Sequence, residues 1–110
     1  MHYLMSKNLP PNLERGIAYL KNELKTLPDL PGVYRMQNDK GAVLYVGKAR
    51  NLMRRVSSYT QPNRLSNRIL RMVSETEKLE VIVTKSEIEA LLLESNLIKK
   101  MQPRYNILLR

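Results

Sequence analysis

The residues of this chain that could do chemistry are its tyrosines, a dense run of arginines and one glutamate set on an apolar helix face. Tyr34 and Tyr45 lie in two short segments, Val33-Tyr34-Arg35-Met36 and Val43-Leu44-Tyr45-Val46, that alternate apolar and polar residues at strand period. Asn38-Asp39-Lys40-Gly41 between them supplies turn residues, with Gly41 able to take positive φ. A turn centred on Asp39-Lys40 would set Tyr34 directly opposite Tyr45, with Met36 and Val43 on the same face. Side chains so paired are roughly 5 Å apart at Cβ, close enough for two phenols to share one site. The hairpin runs straight into Lys48, Arg50, Arg54 and Arg55, and two tyrosines feeding such a cluster make a place to hold a phosphate.

Glu94 is the carboxylate that stands out. The segment after Ser86 reads as a helix to about Met101, with Ala90, Leu91, Leu97, Ile98 and Met101 as its buried stripe and Glu94 in the middle of it. A charged carboxylate there costs several kcal/mol unless paired, so it should meet a cation, either Lys or Arg or a metal ion. Glu87 and Glu89 read instead as helix-dipole and capping residues, with Ser86 and Glu89 forming a capping box. Histidine offers no base: the sole one, His2, sits at the terminus.

The elements that position these groups fit one domain of 110 residues, built mainly from Leu, Ile, Val and Met, since Tyr is the only aromatic type and cysteine is absent. No apolar run approaches the ~20 residues of a membrane span, and there is no signal-peptide pattern; a soluble, cytoplasmic protein is expected. The net charge of +9 is concentrated: residues 31–72 carry nine basic side chains against Asp39 alone, while 73–110 carry six of each sign. That is the footprint of a nucleic-acid surface. The bland alternative is a solvated basic face.

In chain order, Met1–Pro11 reads as a loose arm, and Asn12 as the cap of a helix to about Lys25. Leu13, Ile17, Leu20 and Leu24 face inward, most simply onto the sheet, and Gly16 weakens the helix slightly. Leu27–Gly32 is an extended lead-in. Gly47 ends the second strand and allows close backbone approach. A helix begins at Ala49 or Asn51 and runs to Tyr59, with Leu52 and Val56 inward and Arg55 and Tyr59 sharing a face. Arg54 points elsewhere, to solvent or DNA backbone. Thr60–Asn63 breaks this helix. In the next, Arg64, Arg68 and Arg71 recur along one side opposite Leu65, Ile69, Met72 and Val73, an arginine row for DNA backbone or simply for solubility. Leu79–Thr84 is a third strand. Pro103 stops the long helix, and Tyr105–Leu109 should run on extended. That apolar ending suggests a domain cut from a longer parent.

Gly32-Val33-Tyr34 and Tyr45-Val46-Gly47, with Lys48-Ala49-Arg50, Leu92–Lys99 and Pro103-Arg104-Tyr105-Asn106, resemble in order the motifs of the GIY-YIG nucleases. Within them the chain is most similar to the N-terminal nuclease domain of the bacterial excinuclease component that cuts DNA beside a lesion. The resemblance implies an α/β (α+β) fold, a small antiparallel sheet of three or more strands flanked by helices. It implies an arm and helix over 1–27 and an endonuclease domain over 28–110. It implies a DNA endonuclease making the 3′ incision in nucleotide excision repair. The partners would be damaged duplex DNA and the complex of the excinuclease component UvrB with DNA, engaged through domains beyond this chain. The domain itself would be monomeric.

The family's metal-binding glutamate falls on Glu94, and Lys48, Arg55 and Tyr59 match its site. One carboxylate suits a single Mg²⁺ or Mn²⁺, which keeps several waters. The proton acceptor would be Tyr34 or Tyr45, and the sequence does not choose. Free Tyr has a pKa of about 10, so a cation such as Lys48 or the metal must lie near it. Arg55 would steady charge on the phosphate, and Asn106 and Tyr59 would orient phosphate or water. A non-catalytic basic DNA-binding module, or a related nuclease in another DNA-processing setting, is the alternative. Pure binding has no need of Glu94.

Overall fold

A computed structural model describes residues 9–108; Met1–Asn8, including His2 and most of the expected arm, and Leu109–Arg110 lie outside the described residues. In chain order the elements are α1 (Leu13–Glu23), β1 (Gly32–Gln37), β2 (Val43–Ala49), α2 (Leu52–Ser58), a single 3₁₀ turn (Pro62–Arg64), α3 (Asn67–Glu75), β3 (Lys78–Val83), α4 (Glu87–Met101) and α5 (Arg104–Leu108). The three strands form one antiparallel sheet in the order β2-β1-β3, so β1 is central. The expected α+β architecture is what the chain adopts.

Strand alternation divides the core between the two sheet faces. Tyr34 and Met36 point to the larger side, into a cluster with Leu13 and Leu20 of α1, Leu52 and Val56 of α2, and Leu70, Met72 and Val73 of α3. Val33 and Val46 point to the other side, where Ala90, Leu93, Leu97 and Ile98 of α4 cover them. The first helix therefore packs chiefly on α3 rather than on the sheet, and Gly16 is what lets it approach. A Cβ there would lie 2.1 Å from the Val73 carbonyl oxygen. Asn12 is left-handed (φ 68°) and makes no side-chain cap. Arg15 closes the contact by donating to the carbonyls of Ser74 and Thr76 at the end of α3 (2.8 and 3.1 Å).

The hairpin register differs from the sequence expectation. Gly41, at φ 81°, allows a three-residue Asp39-Lys40-Gly41 loop closed by the Asn38 N–H to Ala42 carbonyl bond. A bulge between Met36 and Gln37 then shifts the pairing, so Tyr34 faces Gly47 and Met36 faces Tyr45. Because of that bulge Val43 pairs with Gln37 and packs on the α4 side, not beside Met36. Gly47 does not end the strand, which continues to Ala49.

The C-terminal segment is helical where an extended run was expected. After Gln102 takes a left-handed conformation (φ 48°), α5 lies along the outer edge of β2. Asn106 there does what a neighbouring strand would do. Its Oδ1 accepts from the Val46 N–H (2.8 Å) and its Nδ2 donates to the Val46 carbonyl (2.9 Å). One side chain thus satisfies an edge residue that a further strand would otherwise have to cover.

Candidate active site around the outer edge of β2

The register places the tyrosines more tightly than direct opposition would. Tyr34 is fully buried and its phenol lies across Gly47, where a Cβ would be 2.5 Å from both Cζ and the hydroxyl oxygen. Gly47 is thus required by the tyrosine it faces. Gly32, the other glycine of the paired tripeptides, answers to β3: its Cβ would lie 2.3 Å from the Ile82 carbonyl oxygen. The Tyr34 hydroxyl shares a 2.6 Å hydrogen bond with Tyr59, and the Tyr34 ring stands 6.1 Å from that of Tyr45 and 6.0 Å from that of Tyr59. The three phenols form one cluster, with Tyr45 its half-buried member.

Burial sets their acidity. It raises the Tyr34 pKa well above 10, the neighbouring phenols reinforcing the shift, and it pushes Tyr59 up to about 12. Both stay neutral in the folded chain, as hydrogen-bonding groups. Arg55, exposed on α2 one turn before Tyr59, reaches this cluster, and the phenols hold its guanidinium more firmly protonated.

Beside the phenols is a concavity of about 440 Å³ lined by Lys48, Arg50, Asn51, Arg54, Arg55 and Ser58. Local capping builds its wall. Asn51 accepts from the Arg54 N–H (2.9 Å), and the first N–H groups of α2 are met by the Leu30 and Pro28 carbonyls of the lead-in. Arg54 and Arg55, a helical step apart, both border the concavity. Arg50 also reaches across to Glu87 at the start of α4 (3.0 Å).

Glu94 is less enclosed than its stripe implied. Leu91 is 48 % exposed, Ala90 is the fully buried residue of α4, and Glu94 is half-buried. It makes no hydrogen bond or ion pair among the described residues, so the salt-bridge alternative has no partner here. Glu94 lies two helical turns beyond Glu87, hence on the side of α4 that faces Lys48-Ala49-Arg50. No three His, Asp or Glu side chains gather into a metal cage among the described residues. A lone, partly shielded, unpaired carboxylate fits a cation that brings its own waters and borrows phosphate oxygens. Ser86 caps α4 as expected, accepting from the Glu89 N–H (3.1 Å). The return bond from Glu89 goes to the Lys85 N–H, one residue earlier than in a capping box.

The arginine row is not one helix face. Arg64 lies in the 3₁₀ turn, and α3 starts afresh with Ser66 accepting from the Ile69 N–H, so Arg68 and Arg71 alone belong to it. Its inward side includes the fully buried Leu70, which the expected apolar stripe passed over. Asn106 is brought to the site at Val46, one residue from both Tyr45 and Gly47. The contact that spacing alone could not reveal is Tyr34 on Gly47, which depends on the bulge.

Phenols, a guanidinium, a basic concavity and a carboxylate around one strand edge, on a three-stranded antiparallel sheet, define a GIY-YIG endonuclease domain. The family model for the UvrC-like GIY-YIG domain matches residues 30–107, and the chain belongs to that family. It is 62 % identical over 100 residues to the UvrABC system protein C of Rhodospirillum rubrum and 59 % identical over 100 residues to that of Zymomonas mobilis, covering 91 % of this chain in each case. The chain spans 16 % and 15 % of the length of these curated relatives. The crystal structure of the GIY-YIG N-terminal endonuclease domain of UvrC from Thermotoga maritima, bound to magnesium as its catalytic divalent cation, superposes with a TM-score of 0.72. The two are 39 % identical, over 79 % of this chain and 94 % of that one. Among the described residues no helix is long and apolar enough to cross a membrane.

Proposed function

We propose that this chain is a divalent-metal-dependent DNA endonuclease domain that hydrolyses one phosphodiester bond, as in the 3′ incision of bacterial nucleotide excision repair. The observation that carries the reading is Glu94: a half-buried carboxylate without a partner among the described residues, beside a basic concavity and a cluster of phenols. Damaged duplex DNA is then the substrate, the complex of UvrB with DNA the assembly it serves, and the bacterial cytoplasm its compartment. Residues 28–110 form the nuclease domain, acting as a monomer, with α1 packed on it as a fixed appendage.

Glu94 would hold one Mg²⁺ or Mn²⁺, whose charge acts on the phosphoryl oxygens. Tyr45 takes the proton from the attacking water. It is the half-buried phenol, whereas burial keeps Tyr34 and Tyr59 protonated and therefore unfit for that task. The Tyr34–Tyr59 hydrogen bond fixes the cluster against which Tyr45 stands. Arg55 meets charge growing on the scissile phosphate, and Lys48 with Arg50 and Arg54 grips the flanking backbone. Asn106, with both amide atoms engaged by Val46, acts by positioning the strand that carries Tyr45.

Glu94→Gln tests the assignment. Cleavage in Mg²⁺ or Mn²⁺ should fall on the order of 10³-fold or more, since a metal contributes several kcal/mol to such a transition state. The metal-free melting temperature should barely move, and DNA binding should persist. A destabilised but active variant would overturn the assignment.

A further inference from the structure

A second basic cavity lies away from the phenols. Its volume is about 510 Å³, and its walls are Asn67, Arg68, Arg71 and Glu75 of α3 and Arg104 and Tyr105 of α5. Three guanidinium groups there meet one carboxylate. Glu75 is also the first acidic residue after Asp39 in the sequence, so the basic stretch reaches this cavity before any acid offsets it.

The geometry is more specific than an ordinary ion pair. Both Glu75 oxygens crowd onto one nitrogen of Arg104, Nη2, at 2.5–2.6 Å, and the same nitrogen donates to the Tyr105 hydroxyl at 2.9 Å. Tyr105 in turn donates to Glu75 (2.6 Å), and the Arg104 guanidinium lies 4.6 Å from the Tyr105 ring centroid. The usual arginine–carboxylate pair is a fork on a fork, using two nitrogens. Here one nitrogen is anchored, while Nε and Nη1 make no hydrogen bond among the described residues. Arg71, exposed on the same wall, forms no ion pair among the described residues; its charge acts on Glu75 through space. An arginine pinned at one end with its remaining donors open is ready for a second anion.

We propose that Arg71 and Arg104 form a phosphate subsite for the DNA backbone remote from the scissile bond, with Glu75 and Tyr105 holding Arg104 in place. The proposal rests on DNA being the substrate. The cavity is larger than a single phosphate and suits a stretch of sugar-phosphate chain. Glu75 has two effects: it orients Arg104, and its own charge opposes an incoming phosphate. Arg104 is the residue that the arginine row in the sequence did not suggest.

The test is binding of a fluorescently labelled duplex to the 110-residue chain, without divalent metal, across a salt series. Arg71→Ala and Arg104→Ala should each lower the slope of log K against log[salt] by about 0.9, the contribution of one neutralised phosphate. Glu75→Gln, which keeps the shape but removes the competing charge, should tighten binding several-fold. Arg104→Ala strands Glu75 and could cost folding. Arg71→Ala lies outside the anchored pair and carries the test on its own. An unchanged slope for folded Arg71→Ala, or equal loss of binding to polyglutamate and to duplex, would overturn the subsite, the latter in favour of an acidic protein partner. Because nothing is cut in this measurement, a chain that binds with these slopes yet fails to cleave would sink the nuclease reading and leave the subsite standing.

Discussion

The tyrosine side of the sheet and the α4 side hold the proposed site in opposite ways. On the first, every group is constrained: Tyr34 is enclosed, hydrogen-bonded to Tyr59, and laid on a glycine that admits no Cβ. On the second, Glu94 is half-buried and unpartnered among the described residues, on a helix whose Ile88, Leu91 and Leu92 are 71, 48 and 61 % exposed. The lesson is a division of labour. Groups that must stay neutral and fixed are built into the core, where packing over-determines them. The carboxylate that would meet a cation stays partly solvated, where ionisation is cheap. This corrects the expectation of a Glu94 shielded from water, and with it the expectation that neutralising Glu94 would raise stability.

One small substitution on each side puts the contrast at risk. Gly47→Ala must displace the end of the Tyr34 ring, and overpacking of this kind costs about 2–3 kcal/mol. Cleavage should fall with it, since the displaced ring supports Tyr45. On the other side, Leu91→Met changes an exposed side chain and should stay within about 0.5 kcal/mol of the parent. Thermal melts of the two variants check this; similar losses would mean that α4 is as tightly determined as the hairpin.

A second contrast lies within the tyrosine cluster. Tyr45→Phe should reduce the single-turnover rate on the order of 10²-fold, as loss of a general base does, with little change in melting temperature. Tyr34→Phe should show the reverse balance. It leaves the Tyr59 hydroxyl without its partner, costs about 1–2 kcal/mol of stability, and lowers the rate less. Equal rate losses would show that the buried phenol takes part in proton transfer.

Much of this was legible in the residues, for local reasons. Alternation at Val33–Met36 and Val43–Val46 predicts the strands, Ser86 announces α4 and Asn51 caps α2, because each signal lies within a few residues of what it controls. The register was not legible. It turns on whether the loop holds two residues or three, and Asn38–Gly41 permits either until Gly41 takes positive φ and the bulge follows. Nor could spacing show that Asn106 would bond the edge of β2 from a helix, or that Gly16 marks a helix crossing. These are contacts between segments remote in sequence. The types of the candidate site residues were readable, and their distribution between a rigid side and a solvated side was not.

The smallest effect expected at neutral pH is the most specific to the enclosed side. Tyr34 and Tyr59 have pKa values raised on folding, Tyr59 to about 12, whereas an unfolded tyrosine ionises near 10. Below pH 10 both states are protonated, and the stability contributed by the buried phenols is fully present. As pH rises from 10 toward 12, the unfolded chain releases protons that the folded chain retains, so stability must fall across that window. Melting temperature should therefore be insensitive to these groups near neutrality and decline on the alkaline side. Replacing Tyr59 by Phe removes one of the two groups and should shallow that decline while costing about 1 kcal/mol throughout through the lost hydrogen bond. Glu94→Gln should leave the alkaline limb untouched, since Glu94 gains nothing from folding against a partner. An alkaline limb as steep in Tyr59→Phe as in the parent would show that the phenol pair is not the enclosed, neutral unit on which the contrast between the two sides depends.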